Sequence, residues 1–597
     1  MRYVILILFL LPVFVQSQYW GEQVLEKSFE NSDLYFNSHY LNNFGLSRFK
    51  DISVNLVDDP FLNLYLNPAQ LPKLERDNLF YLDFRGDRTD VAVIDSWVEP
   101  LVYDMYYYPR LYPDPRWYSQ TRGEPEPLFS LGLLTYPFSK QIKNLMLGAT
   151  YQLIYKQENF YTIPAWIYSN RLGYDAFGQE ATGGRSDIPI QERSVGADEM
   201  LNEGHLITAN MGYRFSQKLS AGIALNSVIH SREGEYLQIQ NDEYGNIDNN
   251  SWKSHNGRSR NQNYDHLDFA GGIQYQFSSD FYAGVKSGYL KGKANQEYLS
   301  VDSSKYTYNE RDISPEWSYH INRSVTDQSW SHDGLTRYAS FNLTKKLQSG
   351  QMWKFYYLYA EKNIDILNSS SINDTSHYAS KWVWDSQTQE YVSYSSLHDI
   401  RSGAGQRKTK LHQGMLSLHW KLTRKNFLDI GFFYSHKKST INSHEPVVAN
   451  RSSQYQATGY YPYEYNHALF EDKNLDWRYQ ASNWTIQIPI LLYFMPSKHW
   501  NLMIGINKSL FSWHIEDQTI AYFDIRQKME NGQLKSETNF GELYREPNKN
   551  ISEDYTDLIA KFEVKLSSQF GIHFLLNPDL EDQFRIAQWW LGFKSNL

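Results

Sequence analysis

The sequence predicts an all-β protein: a transmembrane antiparallel outer-membrane β-barrel of about 14 strands, with 16 as the next even count, carrying long extracellular loops and an N-terminal plug-like segment. Three observations predict it. Apolar and polar residues alternate with period two along many segments, as strands with one greasy face do. These segments come in pairs joined by short turns and separated by long polar stretches. Aromatics make up 16% of the 597 residues at a mean hydropathy of −0.59. A helical membrane protein needs repeated apolar runs of about 20 residues, and a disordered chain is poor in rings, so neither fits.

At the N-terminus, Arg2 precedes an apolar run over residues 4–15 and then Val15-Gln16-Ser17, a small-residue cleavage pattern. Residues 1–17 therefore read as a signal peptide. The run is too short for a spanning helix, which needs about 20 residues. Export places the chain in a bacterial cell outer membrane of the Gram-negative type. Residues 18–77 alternate poorly and are set apart as the plug or hatch-like segment, and residues 78–597 form the barrel.

The barrel elements follow in order. Residues 78–86 give an opening strand, with Phe80, Leu82 and Phe84 against Tyr81, Asp83 and Arg85. Hairpins follow over 129–155, 207–225, 267–289, 339–359, 416–434 and 484–506. In the third, Leu267, Phe269, Ile273, Tyr275 and Phe277 oppose Asp268, Gln274 and Gln276, and Ser278-Ser279-Asp280 turns the chain. Up to three more strands lie at 558–566, 570–576 and 584–594. The polar stretches 157–203, 232–262, 291–333, 364–409, 437–478 and 515–556 are expected to be extracellular loops, since loops of that length are uncommon in compact soluble domains and typical of outer-membrane barrels. Closure follows from the solvent: in lipid every backbone donor and acceptor must be paired, so the sheet can have no open edge.

Chemistry is sparse. The absence of cysteine excludes disulfides, thiolate-bound metals and a thiol nucleophile. Net charge −9 gives no broad basic footprint for nucleic acid. No Gly-x-Ser-x-Gly or His-Glu-x-x-His occurs. Gly403-Ala404-Gly405 lacks a following helix and reads as loop. Asp242-Glu243-Tyr244-Gly245-Asn246-Ile247-Asp248 lacks the full calcium-loop spacing and reads as a solvated turn. No catalytic, cofactor or metal residue is therefore assigned, and an enzyme is not expected. The polar faces of the strands place Asp83, Arg214, Asp268, Lys286, Lys354, Lys421, Asp429, Glu563 and Lys565 in the lumen. They are read first as an ion-paired scaffold, because unpaired charges in low dielectric are costly, and second as a selectivity lining. The tyrosine clusters at 103–108 and 460–465 are loop-packing aromatics or platforms for flat ligands.

Within the plug segment stand Asp58-Asp59-Pro60 and then Asn67-Pro68-Ala69. This stretch resembles the N-terminal region of FadL-type outer-membrane transporters and their relatives in secretion-associated barrels. The resemblance implies a fourteen-stranded barrel whose N-terminal hatch, here Asp58, Asp59, Asn67, Pro68 and Ala69, occupies the lumen, and a role in moving hydrophobic molecules. The expected function is a channel or transporter for small solutes, with outer-membrane lipid as surroundings. The alternative is a barrel-anchored binding or assembly component whose Tyr-rich loops contact a surface polymer or a protein partner.

Overall fold

A computed structural model describes residues 49–73, 78–87, 128–136, 142, 144–162, 191–244, 250–309, 316–347, 350–384, 387–497, 499–530, 532–567, 569–578 and 586–596. The expected signal peptide, the tyrosines of 103–108 and the Gly-Asn-Ile-Asp part of the acidic turn lie outside these residues. Among the described residues no helix is long and apolar enough to cross a membrane.

Seventeen strand segments dominate: β1 (Leu79–Asp87), β2 (Phe129–Thr135), β3 (Leu145–Thr162), β4 (Gln191–Arg214), β5 (Leu219–Tyr244), β6 (Asn250–Ser278), β7 (Phe281–Asn309), β8 (Trp317–Lys346) and β9 (Met352–Trp384). They continue with β10 (Gln387–Lys421), β11 (Asn426–Gly459), β12 (Tyr463–Phe494), β13 (Trp500–Glu530), β14 (Gln533–Arg545), β15 (Lys549–Lys565), β16 (Phe570–Pro578) and β17 (Ile586–Asn596). Each pairs antiparallel with its sequence neighbours, apart from the break between β14 and β15, and β1 pairs with both β2 and β17, so the sheet closes into a ring. The far half of β13 pairs with β14 and its near half with β15. These two segments are one strand position, interrupted at Pro547, which has no N–H to donate to a ladder. The ring thus has sixteen strand positions, two more than the FadL-type resemblance implies.

The long polar stretches are not loops. Apart from 163–190, 245–249, 310–315, 385–386 and 531, which lie outside the described residues, and the short non-strand pieces 316, 460–462, 532 and 546–548, they continue the strands: 364–409 is the far part of β9 and β10, and 437–478 that of β11 and β12. The reason is physical. A hydrophobic period reports a strand with one apolar face, and a hydrogen-bonded ribbon can continue beyond it with polar residues on both faces. At about 3.3 Å per residue the 35-residue β10 runs over roughly 115 Å, far more than the 9–11 residues that cross a bilayer.

Alternation fixes which way each side chain points. Ile223, Leu225 and Ile229 on β5 are exposed, whereas Ser220, Ala224 and Asn226 are buried. The same inversion holds at Leu267, Phe269, Ile273 and Tyr275, at Leu416 and Trp420, at Phe432 and Tyr434, and at Trp484, Ile488, Ile490, Leu492 and Phe494. The greasy residues thus face outward in a belt about ten residues deep at the short-turn end, and the polar residues face in.

Candidate functional site: a luminal segment seated on a glycine track

Residues 49–73 are the one non-strand element among the described residues, and they run inside the ring. Helix α1 (Phe49–Leu56) ends in a kink where Asn55 takes a positive φ of 73°. Helix α2 (Pro60–Leu66) has Pro at its first position, where a missing N–H costs nothing. The Asp59 carboxylate caps it, accepting from the backbone N–H of Phe61 at 2.9 Å and of Leu62 at 3.4 Å. Asp58 accepts from Asn63 Nδ2 at 2.8 Å, and the Lys354 and Lys346 ammonium groups bring positive charge to it. A 3-10 turn, Pro68–Lys73, completes the segment.

Its apolar side chains join the inward faces of the wall. Ile52, Val54, Leu56, Leu62 and Leu66 cluster with Tyr356, Met415, Phe433, Leu491, Met503, Ile559, Leu575 and Trp590, drawn from β9 to β13 and β15 to β17. Phe61, Leu64 and Leu71 cluster with Leu79, Tyr81, Leu134 and Met146 of β1 to β3. Of the remaining wall, β4 meets it through Gly212, against Leu71 and Pro72, and β5 to β8 through polar contacts. Asn67 is fully buried; its Nδ2 donates to the carbonyls of Ile273 at 3.2 Å and Val285 at 3.3 Å and lies 3.5 Å from Asn342 Oδ1. Its Oδ1 accepts from Ala69 N–H at 3.0 Å. Ser220 Oγ donates to Ala69 O at 2.7 Å, Lys286 Nζ to Tyr65 O at 2.6 Å, and Ser417 Oγ to Asn55 O at 2.9 Å. Every strand position of the ring therefore contributes to the packing or the hydrogen bonds around this segment.

The close approach on one side depends on glycine. Gly212, Gly222 and Gly272 lie directly opposite one another across β4, β5 and β6. A Cβ on Gly222 would stand 2.5 Å from the backbone C and O of Pro68, one on Gly272 2.1 Å from Asn67 Oδ1, and one on Gly212 2.8 Å from the Pro72 ring. The track admits the Asn-Pro-Ala segment to the backbone of the wall.

The residues singled out in the sequence fall into two groups. Asp83, Asp268, Lys286, Lys354 and Asp429 are buried on the inner face. Asp83 accepts from Tyr81 Oη at 2.7 Å and pairs with Arg85 at 3.2 Å; Asp268 accepts from Asn226 Nδ2 at 2.7 Å and Tyr338 Oη at 2.9 Å; Asp429 bonds His419. Lys286 also sits 4.5 Å from the Tyr65 ring centre. Arg214, Lys421, Glu563 and Lys565 stand at the short-turn rim and are not brought to the segment; Glu563 accepts from Asn501 Nδ2 at 3.3 Å.

Farther from the belt the inner face carries an apolar cluster that includes Leu290, Ile364, Ile366, Ile441, Val447, Leu475, Trp477 and Phe523, all nearly inaccessible. Beside it Arg526 donates to Glu471 and Glu542, each at 2.8 Å, and lies 3.9 Å over the Phe523 ring, while Lys473 donates to Glu471 at 2.6 Å. The hydrogen bond from Arg526 holds the Glu542 carboxyl below its ordinary value against the opposing effect of burial. At the β11–β12 tip Tyr460, Tyr461 and Tyr463 are exposed. The glycine track and the apolar cluster escaped sequence reasoning. The signal for the first was there, since all three glycines stand on the polar register of alternating strands.

No family model matches the chain, and no curated protein matches it. Among solved structures it is similar to the FrpB iron transporter from Neisseria meningitidis (8% identity, 88% of this chain and 83% of that one, TM-score 0.23). It is also similar to the CymD monoaromatic hydrocarbon channel (11%, 67% and 92%, TM-score 0.19) and to a ferric enterobactin receptor mutant from Pseudomonas aeruginosa (8%, 66% and 78%, TM-score 0.15). Superposition at that level transfers neither fold nor ligand to this chain.

Proposed function

We propose that the chain is an outer-membrane β-barrel transporter for small solutes, with residues 49–73 as a plug that must shift or open for passage. One observation carries the reading: a ring with a greasy exterior has its inner cross-section occupied, at the height of the apolar belt, by a segment hydrogen-bonded to the wall. Sixteen strands about 4.8 Å apart and tilted by about 40° make a cylinder of roughly 16 Å backbone radius, too wide for wall side chains alone to close. Barrels of this size otherwise leave an aqueous channel. The outward belt, exposed to water at great cost in any soluble setting, supports burial in lipid. The apolar cluster beyond the plug supports the hydrophobic end of the solute range, and a FadL-type relationship remains a proposal resting on the Asn-Pro-Ala segment. Liposome swelling and single-channel conductance, with the full chain and with a chain lacking residues 18–77, test this. Passage that rises when the segment is removed is the expected result; two equally impermeable forms would remove transport as the function.

A second reading has its own support. The exposed tyrosines at the β11–β12 tip, far from the belt, are flat, amphipathic and cheap to order, as suits contact with a surface polymer or a partner protein. Substituting Tyr460, Tyr461 and Tyr463 with serine would abolish such binding and leave swelling rates unchanged.

A further inference from the structure

We propose that the outward face of β10 and β11, just beyond the apolar belt, holds the phosphorylated headgroup of an anionic lipid through Lys408, Lys410 and Lys438. The inference rests on the membrane reading above and adds a ligand that reading does not require.

The registers place these side chains together. Tyr359, His412, His436 and Trp484 face one another in one row across β9 to β12. Below that row β10 and β11 present Leu416, Trp420, Phe432 and Tyr434 to the outside, so it marks the upper edge of the belt. The two histidines are already engaged, His412 with Tyr357 Oη at 2.8 Å and His436 with Ser482 Oγ at 3.1 Å. One row up, two residues or about 6.6 Å along the strands, stand Arg337, Glu361, Lys410 and Lys438 in sequence across β8 to β11. Lys408 is one row farther, facing Thr440 and Asn363. All three lysines are exposed and lie on the outward register of their strands.

The physical difficulty is Lys410 against Lys438. Directly opposite residues have Cβ atoms about 4.5–5.5 Å apart, and like charges there repel. The single carboxylate in the rows, Glu361, also faces Arg337, so one acid serves two cations. Among the described residues none of the three lysines makes an ion pair. Other outward lysines on the ring are balanced: Lys293 lies 3.9 Å from Asp333, and Lys508 bonds Asp554. An uncompensated cationic row immediately beyond an aromatic girdle sits where lipid phosphates lie, and each lysine or arginine there attracts an anionic surface. The apolar belt below is continuous with the patch and would hold the acyl chains of the same molecule.

The test uses the full chain in nanodiscs of phosphatidylcholine doped with bis-phosphorylated lipid A or with the same lipid stripped of its phosphates, reading retained lipid by native mass spectrometry after detergent extraction. The wild-type chain is expected to retain the phosphorylated form at least ten-fold over the stripped form. Lys408→Gln, Lys410→Gln and Lys438→Gln together should remove that preference, while Lys291→Gln, at an exposed lysine on β7, should leave it intact. Lys438→Glu alone, which gives Lys410 a partner, should lower retention without loss of heat resistance, separating ligand loss from misfolding. Equal retention by the triple variant and the wild type overturns the proposal, as does full displacement of the lipid by inorganic phosphate, which would mark a simple anion site. A chain that fails to enter the bilayer at all would instead fail the membrane reading itself, and the proposal with it.

Discussion

Gly222→Ala is the sharpest perturbation of the luminal segment and of its proposed role as a plug. The added Cβ would lie 2.5 Å from the backbone C and O of Pro68 and 2.8 Å from Ala69 N. Ordinary contact begins near 3.4 Å, so the Asn-Pro-Ala backbone must retreat by about 0.9 Å. That retreat stretches Ser220 Oγ to Ala69 O from 2.7 Å and the Asn67 bonds to Ile273 and Val285 from 3.2 and 3.3 Å past hydrogen-bond range. Three bonds at about 1 kcal/mol each, net of water, put the cost at roughly 2–4 kcal/mol on docking, or about thirty- to a thousand-fold in the undocked population. The chain has no cysteine, so Ala69→Cys, at a fully buried position, introduces a single thiol whose labelling by a charged maleimide reports undocking. Gly212→Ala meets side-chain atoms, the Pro72 ring and Leu71 Cβ, that yield more easily than backbone, and Gly271→Ala, on the outward register of β6, meets nothing within 4 Å. Labelling rate and channel-opening frequency should therefore fall in the order Gly222→Ala, Gly212→Ala, Gly271→Ala. Equal labelling and equal conductance in all three would refute the seated plug.

Asp59→Ala removes the cap of α2 and should cost about 1 kcal/mol of segment order, seen as a roughly five-fold rise in Ala69→Cys labelling. Ile490→Lys places a charge in the middle of the belt on β12 and should reduce folding stability into vesicles by about 2–4 kcal/mol; an unchanged denaturant midpoint would place that face in water. Glu542 is held below its ordinary value of 4.5 by Arg526. A carboxylate with a lowered folded value contributes stability above its unfolded pKa and loses it as pH falls through the folded value. Amide protection of β14 should therefore weaken below about pH 4.5 in the wild type and stay flat with pH in Glu542→Gln, as hydrogen exchange would register.

Much of the ring was legible because a strand with one apolar face imposes a simple period on sequence. Every hairpin expected from alternation, from 129–155 to 484–506, is present, and the turn at Ser216-Gln217-Lys218 falls between β4 and β5 as read. The rule also explains the largest error. It identifies where a strand has an apolar outer face, so it is silent at Ser231, Glu233 and Glu235 on β5 and at Lys291 and Lys293 on β7, where the ladder continues with polar residues outside. Alternation thus underestimates strand length wherever the outer face changes from apolar to polar. The inner face was legible only as polarity. Alternation places Ser220, Lys286 and Gly222 on the same inward register, but their joint use against Tyr65, Pro68 and Ala69 depends on contacts more than 150 residues apart in sequence. The Asn-Pro-Ala tripeptide was visible as a local turn signal; what gives it consequence is that three glycines on three different strands vacate the same spot. A wall that gives up side chains in one row, next to a segment whose asparagine donates to backbone carbonyls of β6 and β7, is a complementary pair of surfaces. Such complementarity distinguishes a segment seated against the wall from one that merely passes through the ring, and it is what supports the proposed plug.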